Sequence, residues 1–478
     1  MWNPSSLGFS CDKQPSISEA FLQHFRIPRD FACFHLTGDP GPESGYFRFG
    51  DDATCYGRST FSSAAEYSNH ALSDASGGVV VRNGCVYLPF DPTEIIDNLR
   101  LERYPRPENA PKAKRGLDSW VRGAYYMVRP FLPPTARSAL QRIHLRDWEK
   151  IAFPNWPLDC SVDNLFESLM TLALTAAGGD AIPFIWFWPR SASGCFMMTH
   201  DVETSAGRDY CGLLMDIDDA YGVKSSFQIV PEKRYAVSDR LLDSFRERGF
   251  EVNVHDLNHD GCLFQDPAEF QRRAGHINRY VREFDVQGFR SGAMYRNADW
   301  VDALNISYDM SVPNVAHLEP QRGGCCTVMP YFIGNILELP LTAMQDYSMF
   351  SILRRYSIAV WERQMNLILE KNGLVSFIVH PDYIIEHNAQ AVYEDLLQYA
   401  SELCEQRNVW RALPSQVNAW WRQRDQMTLV RENDGWTIEG EGSERATVAY
   451  AELVNGRLTY SFEPVPASFP ASASLVGA

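Results

Sequence analysis

The sequence predicts an α/β protein built on a parallel sheet or (β/α) barrel, with an accessory region before it and a small β module after it. Three observations lead there. From about Gly194 to Pro414, short apolar runs alternate with helical patterns. Polar residues able to do chemistry follow directly on those apolar runs, as they do at the active face of an α/β barrel. Composition allows a large core: 45% of residues are hydrophobic and 22% charged, which excludes global disorder.

Residues 1–190 read as accessory. Gly45 to Gly50 is a strand followed by a turn at Asp51-Asp52, and two β-rich runs flank Asn83-Gly84, a strong hairpin signal. Residues 100–150 carry twelve Lys/Arg against five Asp/Glu in a chain of net charge −16. Within them Leu117, Trp120, Val121, Ala124, Tyr125 and Val128 recur at the spacing of one helical face, ended by Pro130 and Pro133-Pro134. That segment reads either as a basic amphipathic helix contacting an anionic membrane surface or a phosphorylated substrate, or as a helix docked on the domain with solvated arginines.

Residues 191–413 carry the alternation. Gly194 to Thr199, Ser225 to Val230, Phe250 to Val254, Val286 to Phe289, Ile336 to Leu341 and Leu374 to Val379 are the predicted strands. Tyr210 to Tyr221, Ser238 to Arg248, Asp266 to Phe284 and Ile358 to Lys371 are the helices; Ser238 caps the second and Gly249 ends it. Residues 414–463 form short strands separated by Gly and Asn turns, an antiparallel module, and 464–478 is a Pro/Ala/Ser-rich flexible tail.

The acidic balance, 44 basic against 60 acidic residues, argues against nucleic acid as a whole-surface partner. Eleven scattered cysteines contain no CxxC pair. Met1 to Ser6 shows neither the basic nor the apolar region of a signal peptide, and Ala181 to Trp188 is too short to span a bilayer. The expectation is a reduced, cytoplasmic protein.

Four polar groups follow predicted strands. In Thr199-His200-Asp201-Val202-Glu203, an extended chain points Asp201 and Glu203 the same way, and such a carboxylate pair calls for a cation or an Arg. In His255-Asp256-Leu257-Asn258-His259, histidines at i and i+4 share a helix face and present two nitrogens to one ion. Arg290, in Gly288-Phe289-Arg290-Ser291-Gly292, would keep a neighbouring carboxylate ionised. His380 ends a buried strand and has the chemistry of a general acid, with Asp382 two residues on to orient it.

Taken in order, these groups resemble the polysaccharide deacetylase family (the NodB-homology domain, carbohydrate esterase family 4) across roughly residues 194–385. The resemblance implies a distorted (β/α) barrel of the polysaccharide deacetylase type. It implies Asp201 as general base, His380 as general acid and Arg290 as the arginine holding the base. It implies Glu203, His255 and His259 as ligands of a divalent metal; zinc is the default for two His and a carboxylate, with cobalt, nickel or iron fitting the same donors. Asp309 or Asp346 would supply the family's fourth motif, and Tyr295, Asp309, Asp346 and Asp382 are candidate substrate-binding residues. The sequence departs from the family in its Asp-Val-Glu first motif, in Asp256 where the second motif has Ser or Thr, and in Ser291-Gly292-Ala293 within the third.

The implied reaction is metal-assisted removal of an acyl group, N-acetyl foremost, from a small or carrier-linked carbohydrate. Two other readings stand beside it: a non-catalytic carbohydrate- or ligand-binding protein on the same fold, and a hydrolase of a non-sugar linear amide.

Overall fold

The structure is a computed structural model that describes residues 19–61, 65–105, 145, 147–432 and 435–462. Five strands lie in the accessory region: β1 Phe34–Leu36, β2 Ser44–Phe49, β3 Ala53–Arg58, β4 Val80–Arg82 and β5 Cys85–Leu88. β6 is Ile182–Ile185. The central strands are β7 Cys195–Val202, β8 Ser225–Ile229, β9 Glu251–His255, β10 Gly288–Arg290, β11 Tyr308–Asp309, β12 Tyr331–Ile333, β13 Ile336–Glu338, β14 Leu374–Ile378 and β15 Trp410–Arg411. β16 Thr428–Glu432, β17 Gly435–Glu439, β18 Val448–Val454 and β19 Arg457–Ser461 complete the chain.

The central sheet runs β12-β13-β11-β10-β9-β8-β7-β14, with β15 also on β7. Only β12 is antiparallel to its neighbour. Parallel strands need crossovers, and helices Ser205–Ala220, Asp239–Arg246, Pro267–Glu283 and Ala359–Glu370 supply them. All eight residues of β7 and all five of β8 and of β14 are buried, as expected of strands covered on both faces. Side-chain caps start three of these crossover helices: Thr204 accepts from Gly207 N, Ser238 from Leu241 N and Asp266 from Glu269 N.

The sheet curls without closing through a regular ladder. On the edge of β14 away from β7, Ala343 N donates to Ser376 O at 3.1 Å, and Ser376 N donates to Thr342 Oγ1 at 2.9 Å. This curled, open half-barrel agrees with the distorted barrel expected from the sequence. Its consequence is that the ends of β7, β9, β10 and β14 point their side chains into one hollow.

The Asn83-Gly84 hairpin forms as expected, with φ 53° and 73° at the two turn residues. Three features differ from expectation. Cys33 and Cys85 are joined by a disulfide, because β1 pairs with β5 in parallel and brings together residues 52 apart in sequence. Residues 414–463 open with the helix Pro414–Gln426. Their β18 pairs with β6, so part of the expected C-terminal module shares a sheet with the region before the barrel. Arg424, buried in that helix, donates to the carbonyls of Trp186, Ile185 and His24.

The accessory region also docks on the barrel through a buried Arg296–Glu102 pair at 2.5 Å and through Tyr104 Oη donating to Gly324 O at 2.6 Å. The stripe Leu117 to Val128, and with it most of the basic 100–150 segment, lies outside the described residues, as does the 464–478 tail. Among the described residues no helix is long and apolar enough to cross a membrane.

Candidate metal centre and acid–base groups

The two-residue period of β7 turns Thr199 and Asp201 toward the hollow and His200 away from it. His200 meets Val379 O at 2.9 Å and Asp218 Oδ2 at 3.0 Å on the other face, where Tyr393 Oη and Ser225 Oγ also donate to Asp218. This buried network ties β7 to its neighbouring helices behind the site.

Arg290, fully buried at the end of β10, faces Asp201 directly. Its Nη1 donates to Asp201 Oδ1 at 2.8 Å and to Thr199 Oγ1 at 2.7 Å, while Nε donates to Met310 O at 2.9 Å. Burial works to raise the Asp201 carboxyl, but Arg290, then His255 and His380, outweigh it and hold that carboxyl below its ordinary range. The second oxygen, Oδ2, lies 3.7 Å from His255 Nε2.

His255 ends β9, and its partner returns through a loop. The expected helical face is not what joins the two histidines: β9 stops at His255, and left-handed residues at Asp256 (φ 55°) and His259 (φ 53°) turn the chain back. The result still brings the rings together, with centroids 4.8 Å apart. Gly292 lies close against this loop, where a Cβ would crowd Asp256 Oδ2 and the His259 ring. Glu203, one residue past β7, completes the group, its Oε1 lying 2.9 Å from His259 Nε2.

Ligand atoms of Glu203, His255 and His259 all lie within 4.8 Å of one another, so the three can hold one divalent ion. The donor chemistry fits. His255 Nδ1 donates to Arg290 O at 3.1 Å, which leaves Nε2 as the lone-pair nitrogen. That Nε2 is buried and has no hydrogen-bond partner among the described residues, an expensive state for a core nitrogen unless a cation meets it. The Glu203 carboxyl is held well below its ordinary range: burial opposes ionisation, and His259, His380 and His255 overcome it.

His380 follows β14 and reaches the same hollow, with Nε2 3.6 Å from Glu203 Oε1. Sequence reasoning gave its orientation to Asp382; the structure gives it to Asp346. His380 Nδ1 donates to Asp346 Oδ1 at 2.6 Å and its backbone N donates to Asp346 Oδ2 at 2.7 Å. Asp382 instead accepts from Thr204 Oγ1 and from Glu203 N, bracing the turn that carries Glu203. Burial disfavours the imidazolium, but Asp346, then Glu203 and Asp201, push His380 up to about 10. Asp346→Asn is therefore expected to move the alkaline limb of the kcat/KM profile to lower pH. Without that carboxylate the imidazole loses its proton sooner, and the acid limb stays where it is. A pH–rate profile measures it.

Tyr295 is buried. Asp309 sits on β11 directly beside Glu338 of β13, and both are buried. Burial raises the Asp309 carboxyl to about 6 and pushes Glu338 well up, with Asp309 adding to the latter. Ser311 Oγ and Met310 N donate to Asp309. Glu338 was missed in the sequence; a single Glu inside the apolar run Ile336 to Leu339 was the available signal. Arg234 was missed as well: it donates to the backbone oxygens of Asn258 and His259 and fixes the returning loop. Half-buried Tyr383 and Tyr347 stand in sequence from His380, with ring centroids 5.0 Å from His380 to Tyr383 and 5.1 Å on to Tyr347.

No protein-family model matches the chain, and no curated protein matches it in sequence. Solved structures do match. A candidate polysaccharide deacetylase from Mycobacterium smegmatis is similar at 16% identity and TM-score 0.41, over 52% of this chain and 98% of that one. Puue allantoinase is similar at 12% identity and TM-score 0.39, over 49% and 92%. Peptidoglycan deacetylase PdaC from Bacillus subtilis is similar at 11% identity and TM-score 0.30, over 50% and 96%.

Proposed function

We infer that this chain is a metal-dependent hydrolase that removes an acyl group, N-acetyl foremost, from a small or carrier-linked carbohydrate. The observation that carries the reading is the convergence of Glu203, His255 and His259 with two separately tuned proton-transfer groups, Asp201 and His380. A metal alone occurs in structural sites; a metal group flanked by an ionised carboxylate and a protonated imidazole has a reaction to serve.

Glu203, His255 and His259 would hold the ion, with zinc as the default and cobalt, nickel or iron fitting the same donors. When bound, a divalent ion supplies Lewis-acid polarisation of the acyl carbonyl and activation of water. The chain's own groups do the rest. Arg290 keeps Asp201 ionised and fixed, so Asp201 Oδ2 takes a proton from the attacking water. His380, oriented through Nδ1 by Asp346, presents protonated Nε2 to the departing amine. Tyr383 and Tyr347 offer aromatic surface beside His380 on which a sugar ring can stack.

The test is release of acetate from a panel of N-acetylated amino sugars, free and nucleotide-linked, alongside linear amides, by the zinc-loaded full chain. Turnover of the sugars above an Asp201→Asn blank is the expected result. Turnover of the linear amides alone would move the substrate class, and no turnover of either, with metal bound, would favour a binding protein.

A further inference from the structure

A second cluster of metal-ligating atoms lies in the accessory region, away from the hollow. In-register parallel pairing of β1 with β5 sets His35 beside Tyr87 and, one pair earlier on the same face, Cys33 beside Cys85. Cys33 and Cys85 are joined, His35 Nε2 lies 3.4 Å from Cys33 Sγ, and all three residues are half-buried. Their ligand atoms fall within 4.8 Å of one another. Arg82 is the cross-strand partner of Cys85 and stacks 4.2 Å over Tyr87, whose ring in turn meets His35 at 5.3 Å.

The pairing does not depend on the sulfur–sulfur bond. Val86 N donates to Cys33 O at 2.9 Å and Thr37 N to Leu88 O at 2.8 Å, while Phe34, Val86 and Leu88 are buried beneath. Opening the disulfide leaves two sulfurs and one imidazole nitrogen held on one strand face. Zinc bonds of about 2.3 Å to sulfur and about 2.0 Å to nitrogen require the two sulfurs to part from their bonded distance, a side-chain rotation above strands whose Cα atoms stand 4.8 Å apart at this pair. The eight other described cysteines are in no disulfide, so the described residues otherwise hold free thiols.

We propose that Cys33, Cys85 and His35 form a redox-gated site for a thiophilic divalent ion, bound by the reduced chain and released on oxidation. The oxidant is a small-molecule disulfide. The two protein thiolates give up two electrons in forming the Cys33–Cys85 bond, the oxidant's sulfur–sulfur bond breaks to two thiolates, and the ion leaves with its charge unchanged. In the reverse direction, two reductant thiols become a disulfide and their hydrogens pass to Cys33 and Cys85; binding the ion then releases both protons. The site is independent of the Glu203 centre, which contains no sulfur.

Cobalt(II) titrated into the full chain under argon distinguishes the two centres, because only thiolate ligation gives a sulfur-to-cobalt charge-transfer absorption. The chain reduced with a phosphine is expected to show it at about one equivalent of this ion. The chain oxidised with glutathione disulfide is expected to lack it, His255→Ala/His259→Ala to retain it, and Cys33→Ser/Cys85→Ser to lose it. His35→Ala, which leaves the strand pairing and both sulfurs in place, should weaken cobalt binding by more than about tenfold, since loss of even an outer-shell partner costs that much. No charge-transfer absorption in the reduced chain overturns the proposal, as does absorption that survives in the double serine variant. Unchanged affinity in His35→Ala overturns the assignment of the third ligand.

Discussion

Asp201→Asn is expected to keep its metal and lose turnover by about 10²–10⁴-fold, the range contributed by a positioned proton acceptor. The two effects separate because Asp201 stands beside the ligand group without belonging to it. One oxygen is committed to Arg290 at 2.8 Å, and the other is 3.7 Å from His255 Nε2. Asparagine matches the carboxyl in shape, so Glu203, His255 and His259 keep their places. It cannot take a proton from water, and its amide cannot form the ion pair with Arg290. Turnover and metal content measured on the same preparation check this. A variant within about tenfold of the wild-type rate would assign the base elsewhere.

Arg290→Met is expected to destabilise the fold by about 3–5 kcal/mol, the cost of removing one partner from a buried ion pair. Arg290 is fully buried and satisfies Thr199, Asp201 and Met310 O at once, so methionine leaves a carboxylate in the core without its cation. The pH dependence has a definite sign. The Asp201 carboxyl is depressed in the folded chain, so its stabilisation is present above the unfolded carboxylate pKa of about 3.9 and is lost as pH falls through the folded value. The gap between wild type and variant is therefore expected to be widest near neutrality and to narrow on acidification. Urea unfolding at a series of pH values reads it; a gap that widens in acid would contradict the pairing.

The fold was legible where burial is written in runs. Cys195 to Met198 and, save for Ser376, Leu374 to Ile378 are apolar, bounded and followed by polar residues, and both are buried parallel strands. Ser238 and Gly249 marked a helix because capping is local chemistry. What the sequence hid was set by tertiary pairing. Asp346 reaches His380 across 34 residues, whereas Asp382, the nearer carboxylate, is taken by Thr204 and Glu203 N. The histidine pair could be read from its spacing, but the shape of its segment could not, since left-handed turns at Asp256 and His259 replace the helix. The Cys33–Cys85 pairing and the β6–β18 ladder each depend on strands distant in sequence, which no local pattern announces.

The proposed reaction depends on Glu203, His255 and His259 holding an ion. Elemental analysis of the purified full chain, kept oxidised so that Cys33 and Cys85 take no part, tests this directly against His255→Ala/His259→Ala. About one equivalent of a transition metal is expected in the wild type and none in the double variant. A wild-type chain that stays metal-free after incubation with zinc or cobalt would contradict it.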